Sequence, residues 1–213
     1  CKCFENLFHL HLVRAKASYP VYRNTERKFI MQQLHPDIEK VLIPTDELKD
    51  IVKTVAGKIN KDFGGEELTV IVILRGSLVF AADLIRELTM PVRIEFMRAS
   101  SYGSGTASTG FINIKQDLDA DITGKNVLII EDIIDSGNTL YRLREVLLSR
   151  SPKTCKICTL LDKPDRRTTE VEVAYVGKII PNEFVVGYGL DYDEHYRNLP
   201  YVGVLKRCIY EHN

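Results

Sequence analysis

Residues 127–140 read VLIIEDIIDSGNTL, and this stretch restricts the fold more than any other part of the chain. Val127, Leu128, Ile129 and Ile130 are apolar and mostly β-branched, the pattern of a strand buried on both faces. Glu131 and Asp132 are expected at its carboxyl end, because two adjacent acids would be costly if the strand continued inward. Past Ile133 and Ile134 come Asp135, Ser136, Gly137, Asn138 and Thr139, small polar residues suited to a turn. From Leu140 the apolar positions Leu140, Leu143, Val146 and Leu147 share one helical face. The unit is strand, acidic pair, polar loop, helix.

That order carries chemistry. A loop opening a helix presents unpaired backbone N–H groups and the positive end of the helix dipole, which suit a phosphate. Gly137 allows a tight turn, and Ser136 and Thr139 add hydroxyl donors. The loop itself carries no Lys or Arg, so its phosphate would be held mainly by N–H and O–H groups. Glu131 and Asp132 would repel a phosphate but suit ribose hydroxyls, directly or through Mg²⁺. Phosphate and sugar recognition side by side implies a ribose 5-phosphate site. A plain strand-to-helix turn is the alternative, and the acid pair ahead of the loop weighs against it.

The rest of the chain repeats the alternation. Residues 37–43 read as a short edge strand ended by Pro44, and Thr45 as the N-cap of an amphipathic helix over 46–62. Leu68 to Leu74 is a second doubly buried strand, followed by Arg75-Gly76-Ser77 and a helix to about Leu88. Val92 to Arg98 is a third strand, running into a Ser/Gly/Thr-rich tract over 100–110 that reads as a loop. Gly103 and Gly105 lack the third glycine of a dinucleotide fingerprint, since Ser108 stands there. Gly105 and Gly110 have P-loop spacing, but Phe111 and Ile112 replace the required Lys and Ser/Thr. Lys156 to Leu161 is a fourth strand ending in Asp162-Lys163-Pro164, and 165–169 is a polar turn. Val171 to Ile180 and Tyr201 to Leu205 close the series. Alternating strands and helices predict an α/β fold, a mainly parallel twisted sheet flanked by helices, with ligands at the strands' carboxyl ends.

Composition excludes several classes. The 213 residues are 45% hydrophobic and 27% charged, an ordinary globular balance. A formal net charge of zero provides no general basic field for nucleic acid. No run of about 18 apolar residues offers a membrane span. Cys155 and Cys158 spell C-x-x-C, but in a strand that spacing points the two thiols to opposite faces, and Cys1, Cys3 and Cys208 complete no zinc set. Reduced thiols and a cytoplasmic location are expected. Residues 1–30 carry six basic residues and two acids of the 29 of each in the chain, leaving 23 against 27. They read as an N-terminal extension without a catalytic role, disordered or upstream of a natural start at Met31. Residues 31–213 read as one domain.

EDIIDSGNT resembles the phosphoribosyl-pyrophosphate signature of the type I phosphoribosyltransferases, and the IIDSGNT form resembles their hypoxanthine-guanine branch. The resemblance runs from about Asp37 to Tyr210 over four motifs. It implies a small hood built from about 37–43 and from residues after about Lys163. It further implies transfer of a 5-phosphoribosyl group to N9 of hypoxanthine or guanine, with xanthine as the runner-up base and a non-enzymatic regulator as the alternative class. In that reading Glu131, Asp132, Asp135, Ser136, Gly137, Asn138 and Thr139 hold the phosphoribosyl group, and Asp135 is the catalytic acid/base. Arg75, Gly76 and Arg197 bind pyrophosphate, with a cis peptide between Leu74 and Arg75. Lys163, Phe184, Val185 and Asp191 bind the purine, where Lys163 donates to the 6-oxo group and Phe184 stacks on the ring. Glu131, Asp132 and Asp191 are the Mg²⁺ ligands. Ser101 and Tyr102 belong to a lid, and the assembly is a homodimer or homotetramer that binds neither nucleic acid nor membrane.

Overall fold

Two strand cores dictate the architecture. In the computed structural model, residues 34–101 and 112–211 are described, with only the backbone at Ser100 and Ser101. Residues 1–30 and Tyr102 lie outside the described residues. Strand β2 (Leu68–Ile73) and strand β5 (Asn126–Ile134) lie side by side and parallel, with Val70 opposite Leu128 and Val72 opposite Ile130. Each strand sends alternate side chains to opposite faces. Val70, Val72, Leu128 and Ile130 enter one apolar cluster; Ile71, Ile73, Val127 and Ile129 enter the other. At about 25 cal/mol per Å² of apolar surface, burial on both faces makes these strands the main anchor of the sheet.

The sheet order is β4-β3-β2-β5-β6-β7, adding β3 (Val92–Ser101), β4 (Ile112–Gln116), β6 (Thr154–Asp162) and β7 (Tyr175–Ile179). All neighbours are parallel except β3 and β4, so the mainly parallel sheet is as expected. Helices α1 (Thr45–Phe63) and α2 (Leu78–Arg86) cover the first face, and α3 (Asn138–Leu148) covers the second. The chain leaves β2 for β3 on one side and later sets β5 on the other. This reversal opens a crevice at the carboxyl ends of β2 and β5, where open α/β sheets bind ligands.

A second sheet of order β1-β9-β8 joins β1 (Ile38–Ile43), β8 (Val185–Val186) and β9 (Val202–Leu205) in antiparallel pairs. Ile38, Val186, Tyr201 and Leu205 form its own apolar cluster. This is the expected hood, with one correction: the chain after Lys163 first returns to the main sheet as β7. A short helix, α4 (Arg207–Tyr210), follows β9.

Three local expectations need revision. Strand β5 runs through the acid pair to Ile134, because Ile133 and Ile134 still pair with Leu161 and Asp162 of β6. Thr45 is the first residue of α1 and does not cap it; its hydroxyl donates to Pro200 O at 2.9 Å, and Pro44 occupies the cap position. Residues 171–174 are not strand, since the preceding Thr168 and Thr169 N–H groups donate to Ser136 O, which draws this segment to the loop after β5. The C-x-x-C pair behaves as expected: Cys158 is buried in the first cluster and Cys155 packs against the second.

Candidate active site

Two cavities adjoin at the end of β5. One of about 280 Å³ is lined by Glu131, Asp132, Asp135, Ser136, Gly137 and Thr139, with Ile73 and Leu74 from the end of β2. The other, about 200 Å³, is lined by Lys163, Phe184, Val185, Leu190 and Asp191. Asp132, Ile133 and Asp135 line both. A ligand with two parts can thus lie across one strand end.

The first cavity is built by the loop from β5 into α3. Gly137 sits at φ +84°, a left-handed conformation that glycine adopts without strain, and starts the helix. The N-cap Gly137 offers no side chain, and apart from Asn138 N, which donates to Ser136 Oγ at 3.4 Å, the first-turn N–H groups of α3 lack a side-chain cap, which suits an anion. Ser136 and Thr139 border this end, while the side-chain oxygen of Asn138 accepts a hydrogen bond from the Thr169 hydroxyl. The structure also adds cations that the loop's own sequence lacks. The connection after β6 brings Arg166 Nε to 2.9 Å from Asp135 Oδ1. Arg167 donates to Asp135 O at 3.2 Å and pairs with Asp162. Two arginines thus flank the loop, each engaged with an acid or a backbone oxygen beside it rather than lining the cavity. Their adjacency in a polar turn was the only sequence signal.

The acid pair is electrostatically tense. Burial pushes the Glu131 carboxyl well above its usual range, and the neighbouring Asp132 charge adds to the shift. Burial also raises Asp132, opposed by hydrogen bonds and by the Arg197 charge. Asp132 Oδ2 lies so close to Gly76 that any side chain there would overlap it. Both observations describe carboxyl oxygens crowded at a strand end, a donor set of hard oxygens suited to Mg²⁺. Among the described residues no three His, Cys, Asp or Glu side chains converge. Mg²⁺ commonly takes one or two protein carboxylates and completes its shell from substrate and water, so the donors present fit it.

The turn after β2 begins at a cis peptide between Leu74 and Arg75. Ser77 is fully buried, and its hydroxyl donates to Ile73 O at 2.5 Å, closing the turn. Gly189, at φ +103°, packs directly on Gly76 O and thereby joins the turn to the 187–197 segment. From that segment Arg197 Nη1 donates to Gly189 O at 2.8 Å, and its Nη2 lies 2.9 Å from Asp191 Oδ1. Glu194 Oε2 accepts from Arg75 Nη1 at 2.6 Å and from Arg197 Nη2 at 3.0 Å. Arg197, then Arg75, holds the Glu194 carboxyl below its ordinary range. Glu194 was not singled out in the sequence; one acid among several in 191–194 gives no signal of its own.

The second cavity has a cationic and an aromatic wall. Lys163 is 9% exposed, and burial lowers its ammonium pKa while the Asp135 charge opposes the shift. Phe184 is 36% exposed, so it is not a core residue. Tyr210 stacks on it at 4.6 Å between centroids, and Tyr192 meets it edge-on at 5.6 Å. These two tyrosines brace a ring that borders the cavity, and the sequence had given no reason to pick them. Ser101 ends β3 beside Ile112 in backbone register, while its lid partner Tyr102 lies outside the described residues.

Comparison with known proteins places the chain among relatives. Residues 44–193 match the family model described as the phosphoribosyl transferase domain. A hypoxanthine-guanine phosphoribosyltransferase of Streptococcus pneumoniae is 50% identical over 177 residues, covering 83% of this chain and 98% of that protein. A hypoxanthine phosphoribosyltransferase of Salmonella typhimurium is 53% identical over 166 residues, covering 77% of this chain and 93% of that protein. The crystal structure of a hypoxanthine phosphoribosyltransferase from Staphylococcus aureus superposes with a TM-score of 0.81 at 46% identity, covering 88% of this chain and all (100%) of that one.

Proposed function

The chain belongs to the phosphoribosyl transferase family, and from that membership we propose that it moves the 5-phosphoribosyl group of phosphoribosyl pyrophosphate to N9 of hypoxanthine, guanine or both, releasing pyrophosphate. It is a transferase of purine salvage. The observation that carries the reading is the pair of adjoining cavities that share Asp132, Ile133 and Asp135. One suits a sugar phosphate and the other a flat, hydrogen-bonding ring.

In this mechanism the α3 end, with Ser136, Gly137, Asn138 and Thr139, binds the 5-phosphate. Glu131 and Asp132 orient the ribose hydroxyls. Arg75, the Gly76 turn and Arg197 draw charge from the departing pyrophosphate as C1 passes through an oxocarbenium-like state. Lys163 donates to the 6-oxo group, which disfavours a 6-amino ring, and Phe184 stacks on the purine while the Val185 backbone meets its edge. Asp135 lies between the cavities and manages the purine proton as acid/base. Glu131 and Asp132 on one side of the site and Asp191 on the other would each offer Mg²⁺ a carboxylate, the rest of its shell coming from substrate and water, and the ion when bound would neutralise pyrophosphate charge. Ser101 and Tyr102 belong to a lid that excludes water from the activated sugar. The protein acts in the cytoplasm as a homodimer or homotetramer.

The test is Mg²⁺-dependent pyrophosphate release from phosphoribosyl pyrophosphate with hypoxanthine, guanine, xanthine and adenine supplied separately. Release with hypoxanthine or guanine is expected. Release with xanthine or adenine in their place would reassign the base, and release with none would favour a non-enzymatic regulator.

A further inference from the structure

Glu194 stands where an anion should. Its Oε2 bridges Arg75 Nη1 at 2.6 Å and Arg197 Nη2 at 3.0 Å, the two side chains assigned above to pyrophosphate. These arginines come from distant parts of the chain, the turn after β2 and the segment before β9. A single carboxylate oxygen satisfies both. The carboxylate is 59% exposed on its side chain, so it is free to swing into solvent. Its backbone is less free: Asp193, Glu194 and Tyr196 sit at φ +48°, +62° and +73°, a region that disfavours side chains. Glu194 N donates to Asp191 Oδ2 at 2.9 Å, which fixes the start of this tight loop. The loop thus presents Glu194 to the arginines from a strained but hydrogen-bonded frame.

We propose that Glu194 is an internal stand-in for pyrophosphate, occupying Arg75 and Arg197 in the empty enzyme and competing with the pyrophosphoryl group for them. This inference rests on the phosphoribosyl-transfer reading. Without substrate, two cations facing one turn would repel each other; Glu194 bridges them and holds them in place, while Asp191 Oδ1, 2.9 Å from Arg197 Nη2, balances the second charge. When pyrophosphate binds, its more highly charged oxygens displace the carboxylate, which turns to solvent. The carboxylate returns when pyrophosphate departs, so the same contact favours product release. Glu194 acts through the arginines and touches no reacting atom; it is a positioning residue that sets the affinity of one subsite.

The test compares the parent with Glu194→Gln and Glu194→Asp by titration calorimetry with Mg²⁺-pyrophosphate, alongside steady-state kinetics. Glutamine keeps the shape and removes the charge. Exposed ion pairs contribute little individually, so release of this competitor should tighten pyrophosphate binding by about threefold to tenfold. KM for phosphoribosyl pyrophosphate should fall by a similar factor while KM for the base stays unchanged, a split that a merely structural role would not give. Aspartate, too short to bridge both arginines, should fall between, and it supplies the comparison if the glutamine variant fails to fold. Unchanged or weaker pyrophosphate binding in the folded variants would overturn the proposal. If the parent transfers no phosphoribosyl group to any base, the functional reading fails as well; transfer by the parent with unaltered pyrophosphate affinity in the variants removes only the role of Glu194.

Discussion

Gly189→Ala tests the junction between the turn after β2 and the 187–197 segment, on which the proposed pyrophosphate subsite depends. Gly189 sits at φ +103°, and an added Cβ would overlap Gly76 O while lying 3.3 Å from Gly76 C and 3.5 Å from Val79 Cβ. Holding alanine in that backbone region costs about 1–3 kcal/mol. Forcing a methyl into a packed contact adds about 1–3 kcal/mol. For a domain of this size each kcal/mol lowers Tm by about 2–4 °C, so a drop of at least ~4 °C is expected. Most of the relief must come from the turn after β2, because the obstructing atom is backbone. A displacement of about 1 Å at a reacting centre costs about 10²-fold, and that loss should appear in kcat/KM for phosphoribosyl pyrophosphate. KM for the base should change much less, because Lys163 and Phe184 border a cavity that neither Gly76 nor Gly189 lines. Thermal denaturation and steady-state kinetics read both effects. Parental Tm together with parental kcat/KM would refute the packing argument.

Asp135→Asn should lower turnover by roughly 10²–10⁴-fold with a far smaller effect on phosphoribosyl binding; an unchanged kcat would remove Asp135 from acid/base duty. Gly57→Ala, at an exposed position within α1 with open space around it, should raise stability by about 0.5–1 kcal/mol, seen as a small rise in Tm, and a fall in Tm would contradict it. Asp62 receives hydrogen bonds from the Tyr175 hydroxyl at 2.7 Å and Lys156 Nζ at 3.0 Å, tying α1 to β6 and β7, and these hold its carboxyl below the ordinary value. A depressed carboxyl contributes stability above its unfolded pKa and loses it as pH falls through its folded one, so Asp62→Asn should be less stable than the parent near pH 7, with the gap closing below about pH 4. A gap independent of pH would assign the loss to packing instead.

Strand and helix content was legible where burial is symmetrical. The apolar run 127–130 and the run 68–73 announce themselves because no other environment tolerates such sequences. The segment 171–174 misled for a related reason: Val171 and Val173 pack against the second cluster, yet the backbone is pulled toward Ser136 O by Thr168 and Thr169. Apolar spacing reports burial but not which hydrogen-bond acceptors lie nearby. The same gap hid Arg166, Arg167, Glu194 and Tyr210. Each acts through a partner distant in sequence, and nothing local distinguishes a solvated arginine from one 2.9 Å from Asp135.

The convergence of these segments follows from the topology. Parallel strands place all their carboxyl ends on one edge of the sheet, so the turn after β2, the acid pair of β5 and Lys163 after β6 share that edge. Strand β5 contributes the negative charge, and the neighbouring connections contribute Arg75, Arg166 and Lys163. A substrate that joins a sugar diol to a pyrophosphate needs both signs within one molecule's length. Arg166, Arg75 and Arg197 at this edge each lie within ion-pair distance of an acid, Asp135, Glu194 and Asp191 respectively. On the proposed function, substrate binding would exchange these ion pairs for contacts with the substrate.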